Sequence, residues 1–552
     1  MTFLQRLSPA QRISPISSVL FLPSRHHLSA TPQAFHEEFF RNTSQRWIFN
    51  ENDRLKERYA RFRPAELQRV AGEAIQQDCC PGIVKLAEGG FNKVFLLQAR
   101  NGREVIARIP TPIAGTPHYT TASEVATMNF LRGVLKLPVP EVLAYSTSSD
   151  NPVGAEYILM ERVEGESLSS RWLSLTTDEV KDIMTQIADI ERKIFEFSFP
   201  AYGSLYYKKD LDRETQIPIT EDFCIGPVSA RQFSHGERSK TKIDRGPWLS
   251  PEDCVTAAAR REMAVIQHHA KPQPRKRFLL PTAFDIHPSE HSSLLSQFLQ
   301  LAPFLIPGSH SVPTLRHPDL SLSNILLAPG STKITSIIDW QDAVVFPQFM
   351  QAGYPAFCEH DSSQPQSLQI PSLPDGFDEM PPDQQRHSKS IFRLEEANLY
   401  YTAATGIHNE KHMDVLKLPY FGMRQYLLQQ TGYPWDADVI NLRAAMVGIT
   451  TPSVWSCISS AVCPVAFSDE DRERAIAESQ EWNESEQLLS RVREHLGIDL
   501  EGGTEPENFE RAVTANQEFR MEMVRQAEAE EREICWRNWP YKDEGDNSMP
   551  LL

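Results

Sequence analysis

The chain has 552 residues, 40% of them apolar (AVILMFWYC) and 23% charged, a balance that can bury a core and excludes wholesale disorder. A formal net charge of −17 excludes general affinity for nucleic acid, which needs a basic face against phosphates. The longest apolar runs fall far short of the roughly 20 residues that span a bilayer, so no transmembrane segment is expected, and the eight cysteines show neither zinc spacing nor a disulfide framework.

Residues 1–36 carry Arg6, Arg12 and Arg25, six serines and no acid before Glu37. An arginine- and serine-rich lead without acids has the composition of a mitochondrial transit peptide, and Pro9, Pro15 and Pro23 keep any helix in it short. Residues 37–78 read as short helices carrying Phe40, Trp47 and Phe49. The period then changes. Ile83–Leu86, Val94–Leu97 and Glu104–Ile109 read as strands, joined by a turn at Glu88-Gly89-Gly90 and a hairpin at Asn101-Gly102. A helix near Thr121–Val134 and a strand over Val153–Met160 complete a small α+β lobe.

From Thr177 the pattern is helical: Val180, Ile183, Ile187, Ile190 and Ile194 step by three and four and form one buried stripe. Residues 199–275 are less regular and hold a basic run, Arg231, Arg238, Lys240, Lys242 and Arg245, which reads equally as a solvated loop or as a surface for an anionic partner. Two short strands, Ile325–Ala328 and Ile334–Asp339, follow. Beyond them lie a proline-rich loop over about 361–388, helices at 390–405, 410–430 and 438–449, and two charged helices over 468–535. Residues 501–552 hold 13 acids and 6 bases and read as an acidic tail, a surface for a protein partner.

The chemistry concentrates in Arg316-His317-Pro318-Asp319-Leu-Ser-Leu-Ser-Asn324, followed by Ile337-Ile-Asp339-Trp-Gln-Asp342. Phosphoryl transfer needs a carboxylate near the acceptor hydroxyl and oxygen ligands for the magnesium that bridges the phosphates. Asp319 and Asn324 on one loop, with Asp339 ending the next hairpin, supply a base and two metal ligands in kinase order. Singly, each has an ordinary structural reading as a turn or strand-end residue. In the first lobe, Gly89, Gly90, Phe91 and Asn92 sit between strands where backbone N–H groups can approach phosphate. With only 25 glycines in the chain, that adjacent pair stands out. Arg108 occupies the third strand where kinases place a phosphate-binding lysine, with Glu124 as its partner on the next helix. Thr121-x-x-Glu124 is also a capping box, which asks nothing of catalysis.

These residues give the chain a specific resemblance. EGGFNKVFLL (88–97), VIARIPTP (105–112), YTTASEVATMNFLR (119–132), PVGAEYILMERVEG (152–165), HPDLSLSNILL (317–327) and IIDWQDAVVFP (337–347) resemble the fungal aminoglycoside-phosphotransferase-like family, most closely its mitochondrial altered-inheritance-of-mitochondria branch. The resemblance implies an α+β, two-lobed protein-kinase-like fold with a small β-rich N-lobe at 37–162 and a larger helical C-lobe at 163–500. It further implies ATP and Mg2+ in the cleft, Asp319 as catalytic base, Asn324 and Asp339 as metal ligands, and Glu161 and Val163 at the adenine hinge. The expected activity is transfer of the ATP γ-phosphate to a small hydroxyl-bearing acceptor in mitochondria. The chain departs from the pattern with arginine for lysine at 108 and with Pro318 where protein kinases carry arginine. Arg108 and the long acidic tail keep a second reading open: a weakly active or inactive nucleotide-binding scaffold in a mitochondrial assembly.

Overall fold

The structure, a computed structural model, describes residues 36–275, 285–359, 370–546 and Met549. All but the last residue of the predicted transit peptide lies outside the described residues. The smaller lobe is built on an antiparallel sheet of β1 (Gly82–Glu88), β2 (Asn92–Gln98), β3 (Glu104–Pro110), β4 (Val142–Ser146) and β5 (Tyr157–Glu161), in the order β1-β2-β3-β5-β4. Its two faces follow from the period of two along each strand. Phe95 and Leu97 of β2 and Val105, Ala107 and Ile109 of β3 point to one side and pack with Phe40, Phe62, Leu67 and Ala71 of the lead-in. The alternate residues Val94, Ile106 and Arg108 face the cleft between the lobes. Gly102 closes the β2–β3 hairpin at φ 85°, where a side chain would be strained.

Helix α1 (Tyr119–Gly133) connects β3 to β4 and is buried on nearly every side from Thr120 to Leu131. The larger lobe is helical. Its α2 (Thr177–Glu196) begins with a reciprocal capping box between Thr176 and Glu179, which contributes about 1 kcal/mol. The expected stripe Val180, Ile183, Ile187, Ile190 and Ile194 is buried, together with Met184. Each such side chain contributes about 1.5–3 kcal/mol on leaving water. The stripe packs with Leu315, Leu320, Ile325, Leu327, Ile334, Ile337 and Trp340, so the apolar residues flanking the acidic motif are what fix that motif in space. Around this core stand α3 (Pro251–His269), α4 (Pro288–Leu305), the hairpin of β6 (Ile325–Leu327) and β7 (Ile334–Ile337), and α5 (Pro382–His408). The expected two-lobed α+β architecture is the one found.

Several elements differ from the sequence reading. The single strand expected over Val153–Met160 is strand only at Tyr157–Glu161, and Val142–Ser146 is an unanticipated edge strand beside it. Helix α5 starts at Pro382 rather than 390 because proline suits the first helical position. Part of the 361–388 loop lies outside the described residues. The segment expected as an acidic tail folds back. Gly503–Thr504 pairs antiparallel with Arg46–Trp47, and Trp539 and Tyr541 pack with Leu489, Val492, Leu496, Ile48 and Phe49. Most charges of this segment stay outside, Arg520 being buried against Trp536 and Asp546, while its scattered aromatic residues are covered by the chain itself. Among the described residues no helix is long and apolar enough to cross a membrane.

Candidate active site

The cleft between the lobes is a cavity of about 490 Å³. All eleven residues singled out from sequence line it: Gly89, Gly90, Phe91, Asn92, Arg108, Glu124, Glu161, Val163, Asp319, Asn324 and Asp339. They come from the β1–β2 turn, β3, α1, the segment after β5, the loop before β6 and the loop after β7. One end has apolar walls, from Leu86, Val94, Ile106, Met128, Met160, Leu326 and Ile338, of the kind that suits a planar aromatic base. The other end is polar and holds the acids.

At the polar end Arg108 joins the lobes. Its Nη1 donates to Glu124 Oε1. Its Nη2 donates to Asp339 Oδ1 at 2.7 Å and to Gln341 Oε1 at 2.9 Å. The ion-pair reading of Glu124 therefore holds and the capping-box reading does not: α1 starts at Tyr119 after His118, and Thr121 donates instead to Glu156 Oε2 at 2.6 Å. A lysine has three N–H donors but on one nitrogen, which cannot span acceptors spread over the two terminal nitrogens of this fork. Gln341 extends the bridge. It accepts from Asn92 Nδ2 at 2.7 Å and donates to the carbonyl of Ala114 at 2.8 Å, tying the glycine turn to the C-lobe.

The turn itself is shaped from below. Glu88, immediately before Gly89, is buried and paired with Lys93 and, at 2.8 Å, with Lys85. The backbone N–H and the hydroxyl of Thr111 both donate to the Phe91 carbonyl, at 2.8 and 3.0 Å, which fixes the tip of the turn. A Cβ placed on Gly90 would meet nothing within 4 Å. The fold therefore has room for a side chain there, and its absence leaves the turn's backbone open to the cavity, as a phosphate cradle requires.

The loop before β6 is held by its own polar groups. His317 bridges it, with Nε2 donating to the Ile338 carbonyl at 2.9 Å and Nδ1 accepting from the Asp319 N–H at 3.1 Å. Burial holds this imidazole neutral by pushing its pKa down to about 4, consistent with one ring nitrogen donating and the other accepting. Asn324 Nδ2 donates to the Asp319 carbonyl at 2.9 Å, which leaves its Oδ1 for a ligand. Asp339 and Asp342 adopt φ 67° and 62°, the left-handed region that aspartate tolerates better than bulkier residues. Such departures cluster where a site needs a side chain turned back on its strand.

Electrostatically the polar end is an acid cluster around one guanidinium. Burial, reinforced by the Asp339 charge, pushes Asp319 up to about 6. Burial and Asp339 together push Asp342 up to about 7. Burial opposes the charge of Arg108, but Glu124 and Asp339 outweigh it and raise its pKa. Asp342 Oδ1 is buried with no hydrogen-bond partner. Carboxylate and amide oxygens of this type suit a hard divalent cation that keeps other positions for phosphate and water. Asn324, Asp339 and Asp342 supply oxygens of the type that fits magnesium, although among the described residues no group of three His, Cys, Asp or Glu is placed to hold a metal ion by itself. Gln341 and Asp342 were not singled out from sequence as site residues. Both stand in the same Asp339–Asp342 motif, and their adjacency to Asp339 was the available signal.

A buried network supports the loop. Arg316 Nε donates to Glu191 Oε1 at 2.9 Å, and its Nη2 donates to the Gly353 carbonyl at 2.8 Å. Tyr401 of α5 donates to Glu191 Oε2 at 2.5 Å. The residue preceding His317 is thus pinned to both α2 and α5.

A β-rich lobe over a helical lobe, with acids from a loop and a hairpin facing a glycine turn, defines a kinase-like phosphotransferase architecture. The phosphotransferase enzyme family matches residues 82–349 of the chain. A subtelomeric hrmA-associated cluster protein of Aspergillus fumigatus is 76% identical over 506 residues, covering 86% of this chain and 99% of that protein. The mitochondrial protein named altered inheritance of mitochondria protein 9 of Lodderomyces elongisporus is 26% identical over 421 residues, covering 68% and 63%. Among solved structures, a ternary complex of the aminoglycoside phosphotransferase APH(4)-Ia with AMP-PNP and hygromycin B aligns with a TM-score of 0.33 and 13% identity, covering 69% of this chain and 94% of that one. The chain belongs to the same family as that Aspergillus fumigatus protein, its residues 82–349 are a phosphotransferase enzyme family domain, and altered-inheritance-of-mitochondria proteins are among its more distant relatives.

Proposed function

We propose that the protein is a mitochondrial phosphotransferase that moves the γ-phosphoryl group of ATP to a hydroxyl of a small molecule. The observation that carries the reading is the convergence of Arg108, Glu124, Asp319, Asn324 and Asp339 on one cavity that opens against Gly89-Gly90. Names of relatives that include "mitochondrial", with the acid-free composition of residues 1–36, support the compartment.

In this reading the apolar end of the cavity takes the adenine, against the backbone of Glu161–Val163, and the phosphates lie under the glycine turn. When bound, magnesium supplies charge neutralisation of the phosphates, and Asn324 and Asp339 are the residues that would hold it. Asp319 orients the acceptor hydroxyl and takes its proton as the acceptor oxygen bonds to phosphorus and the bridging oxygen leaves with ADP. Arg108, fixed by Glu124, offsets negative charge beside the phosphates.

The test is a ligand-dependent melting shift with ATP and magnesium, compared between wild type and Asp339→Ala, followed by ATP consumption against a panel of small hydroxylated metabolites. A shift in wild type that Asp339→Ala loses, with turnover abolished in Asp319→Ala, is the expected result. No nucleotide shift in wild type refutes the reading. One observation favours the scaffold alternative: both terminal nitrogens of Arg108 are already committed to Glu124, Asp339 and Gln341. A nucleotide shift without consumption of ATP across the panel would establish that alternative.

A further inference from the structure

The basic run at 231–245 is neither a uniform solvated loop nor a uniform binding surface. Arg238 is held by the Glu262 carboxylate at 2.8 Å. Arg245 donates to the carbonyls of Phe233 and Arg238, at 3.2 and 3.0 Å. Lys240 and Lys242 are exposed. Arg231 differs from all four. It forms no ion pair among the described residues, and its Nε is buried with no hydrogen-bond partner. Its guanidinium lies 4.8 Å from the centre of the Phe91 ring, at the tip of the glycine turn, where Phe91 lines the cavity.

The mount of Arg231 is rigid. Arg231–Phe233 is one short turn, and Phe233 lies buried under the Arg261 guanidinium at 4.4 Å. Arg261 and Glu262 of α3 are fully buried and paired at 2.7 Å, and Arg238 joins them. A charged triad of this kind is a poor source of stability but a good means of fixing geometry. What it fixes here is the approach of Arg231 to the phosphate end of the cleft.

The charge of that end calls for a cation. Glu124, Asp319, Asp339 and Asp342 line the cavity with Arg108, whose terminal nitrogens are already shared among Glu124, Asp339 and Gln341. A nucleoside triphosphate adds several more negative charges. A guanidinium resting on an aromatic face is weakly hydrated and presents its fork to phosphate oxygens.

We propose that Arg231 is a phosphate clamp: on nucleotide binding its guanidinium moves from the Phe91 ring to the terminal phosphate oxygens, so that a segment outside the small lobe selects nucleoside triphosphate over diphosphate. This rests on the reading of the cleft as a nucleotide site. The clamp forms two N–H···O bonds to phosphate and makes or breaks no covalent bond itself.

The experiment is calorimetric titration of the full chain with Mg·ATP, Mg·ADP and adenosine, in wild type, Arg231→Ala and Arg231→Lys. Loss of a charge-assisted phosphate contact predicts ATP binding weakened about tenfold to a hundredfold in Arg231→Ala. ADP binding should change by less than about threefold, adenosine binding should be unchanged, and Arg231→Lys should recover part of the ATP affinity. Unchanged adenosine binding also reports that the variant is folded. Equal ATP affinity in wild type and Arg231→Ala overturns the clamp, and so does an equal loss for all three ligands, which would mark a structural role. If wild type binds adenosine and ADP but shows no preference for ATP, the clamp fails and the nucleotide site stands. If wild type binds none of the three, both fall.

Discussion

Replacing Arg108 by methionine tests whether the lobes are held together at the site itself. The arginine is 8% exposed and Glu124 4%, so the change leaves a buried carboxyl without its counter-ion. Breaking a buried ion pair from one side costs about 3–5 kcal/mol. Two features of the cleft pull the figure to the lower end. Burial already raises the Glu124 pKa to about 7, so at neutral pH this group protonates in the variant rather than staying charged, and the cost becomes that of a buried neutral group short of partners, about 1–3 kcal/mol. The Asp339 side chain is 32% exposed and can recover water. Adding the lost bond to Gln341, of about 1 kcal/mol, gives about 3 kcal/mol for Arg108→Met. Arg108→Lys keeps charge, but a single ammonium nitrogen cannot span acceptors held by the two terminal nitrogens of the guanidinium, and it should lose about 1–2 kcal/mol. Urea unfolding of the three proteins, monitored by tryptophan fluorescence, measures the differences. A methionine variant within about 0.5 kcal/mol of wild type would refute the view that this fork couples the lobes.

Four further outcomes are expected. Arg316→Met should cost more than Arg108→Met, about 3–5 kcal/mol in urea unfolding, because Glu191 is buried and Arg316, against the opposing effect of burial, helps to hold its pKa below the usual range; a loss under about 1 kcal/mol would contradict this. Burial lowers the Lys93 pKa to about 8 from 10.5, so between those values the unfolded chain binds the extra proton and stability rises with pH. The stability of wild type relative to Lys93→Met should accordingly improve by about 2–3 kcal/mol from pH 8 to 10.5, and a flat difference would remove the burial argument. A Cβ at Gly90 meets nothing within 4 Å, so Gly90→Ala should keep a melting temperature near wild type while ATP affinity falls about tenfold or more; normal ATP affinity would mean that the turn is no phosphate cradle. Trp539→Ala, at a side chain 2% exposed that donates to Asn516 at 2.9 Å, should cost about 3–5 kcal/mol and speed amide exchange at residues 46–47 as well as at the C-terminal helices. Unaltered exchange at 46–47 would show that the C-terminal segment does not support the lead-in.

The acidic motif was legible because its chemistry compresses into short spacing. Asp319 and Asn324 must share a loop, and Asp339 must end the neighbouring hairpin, so three roles fall within 21 residues. Arg108 and Glu124 were legible because strand alternation and helix phase each leave one polar residue in an apolar run. The rest depends on partners distant in sequence. Nothing in Ala230-Arg231-Gln232 announces that it will rest on Phe91, 140 positions earlier. Val142–Ser146 escaped notice because it is an edge strand of half-buried residues without clear alternation, stabilised by pairing with Tyr157–Glu161 rather than by its own pattern. The C-terminal segment was misjudged through its average charge. Stability there depends on a few aromatic side chains, Trp536, Trp539 and Tyr541, which a net charge does not register.

That segment changes how the glycine turn is understood. Glu88 accepts from the Thr43 N–H at 2.7 Å, while Lys85 and Lys93 each donate to the Arg41 carbonyl at 2.9 Å. The lead-in thus grips the turn from the side opposite the cavity. Three residues further on, Arg46–Trp47 pairs with Gly503–Thr504, and Arg58 is buried against Glu501 at 2.8 Å. A glycine turn alone is flexible, and flexibility costs affinity because the loop must be ordered on binding. Here that ordering is provided in advance by segments near the two ends of the described chain, which meet behind the turn. The buried Lys93–Glu88 pair has the same logic as the charged triad under Arg231: each gives up stability in desolvation and gains a fixed position for a group at the polar end of the cleft. The geometry of the small lobe's face of the cleft is therefore a property of residues 36–546 acting together, and the 82–349 region that matches the family would not retain it when cut out alone.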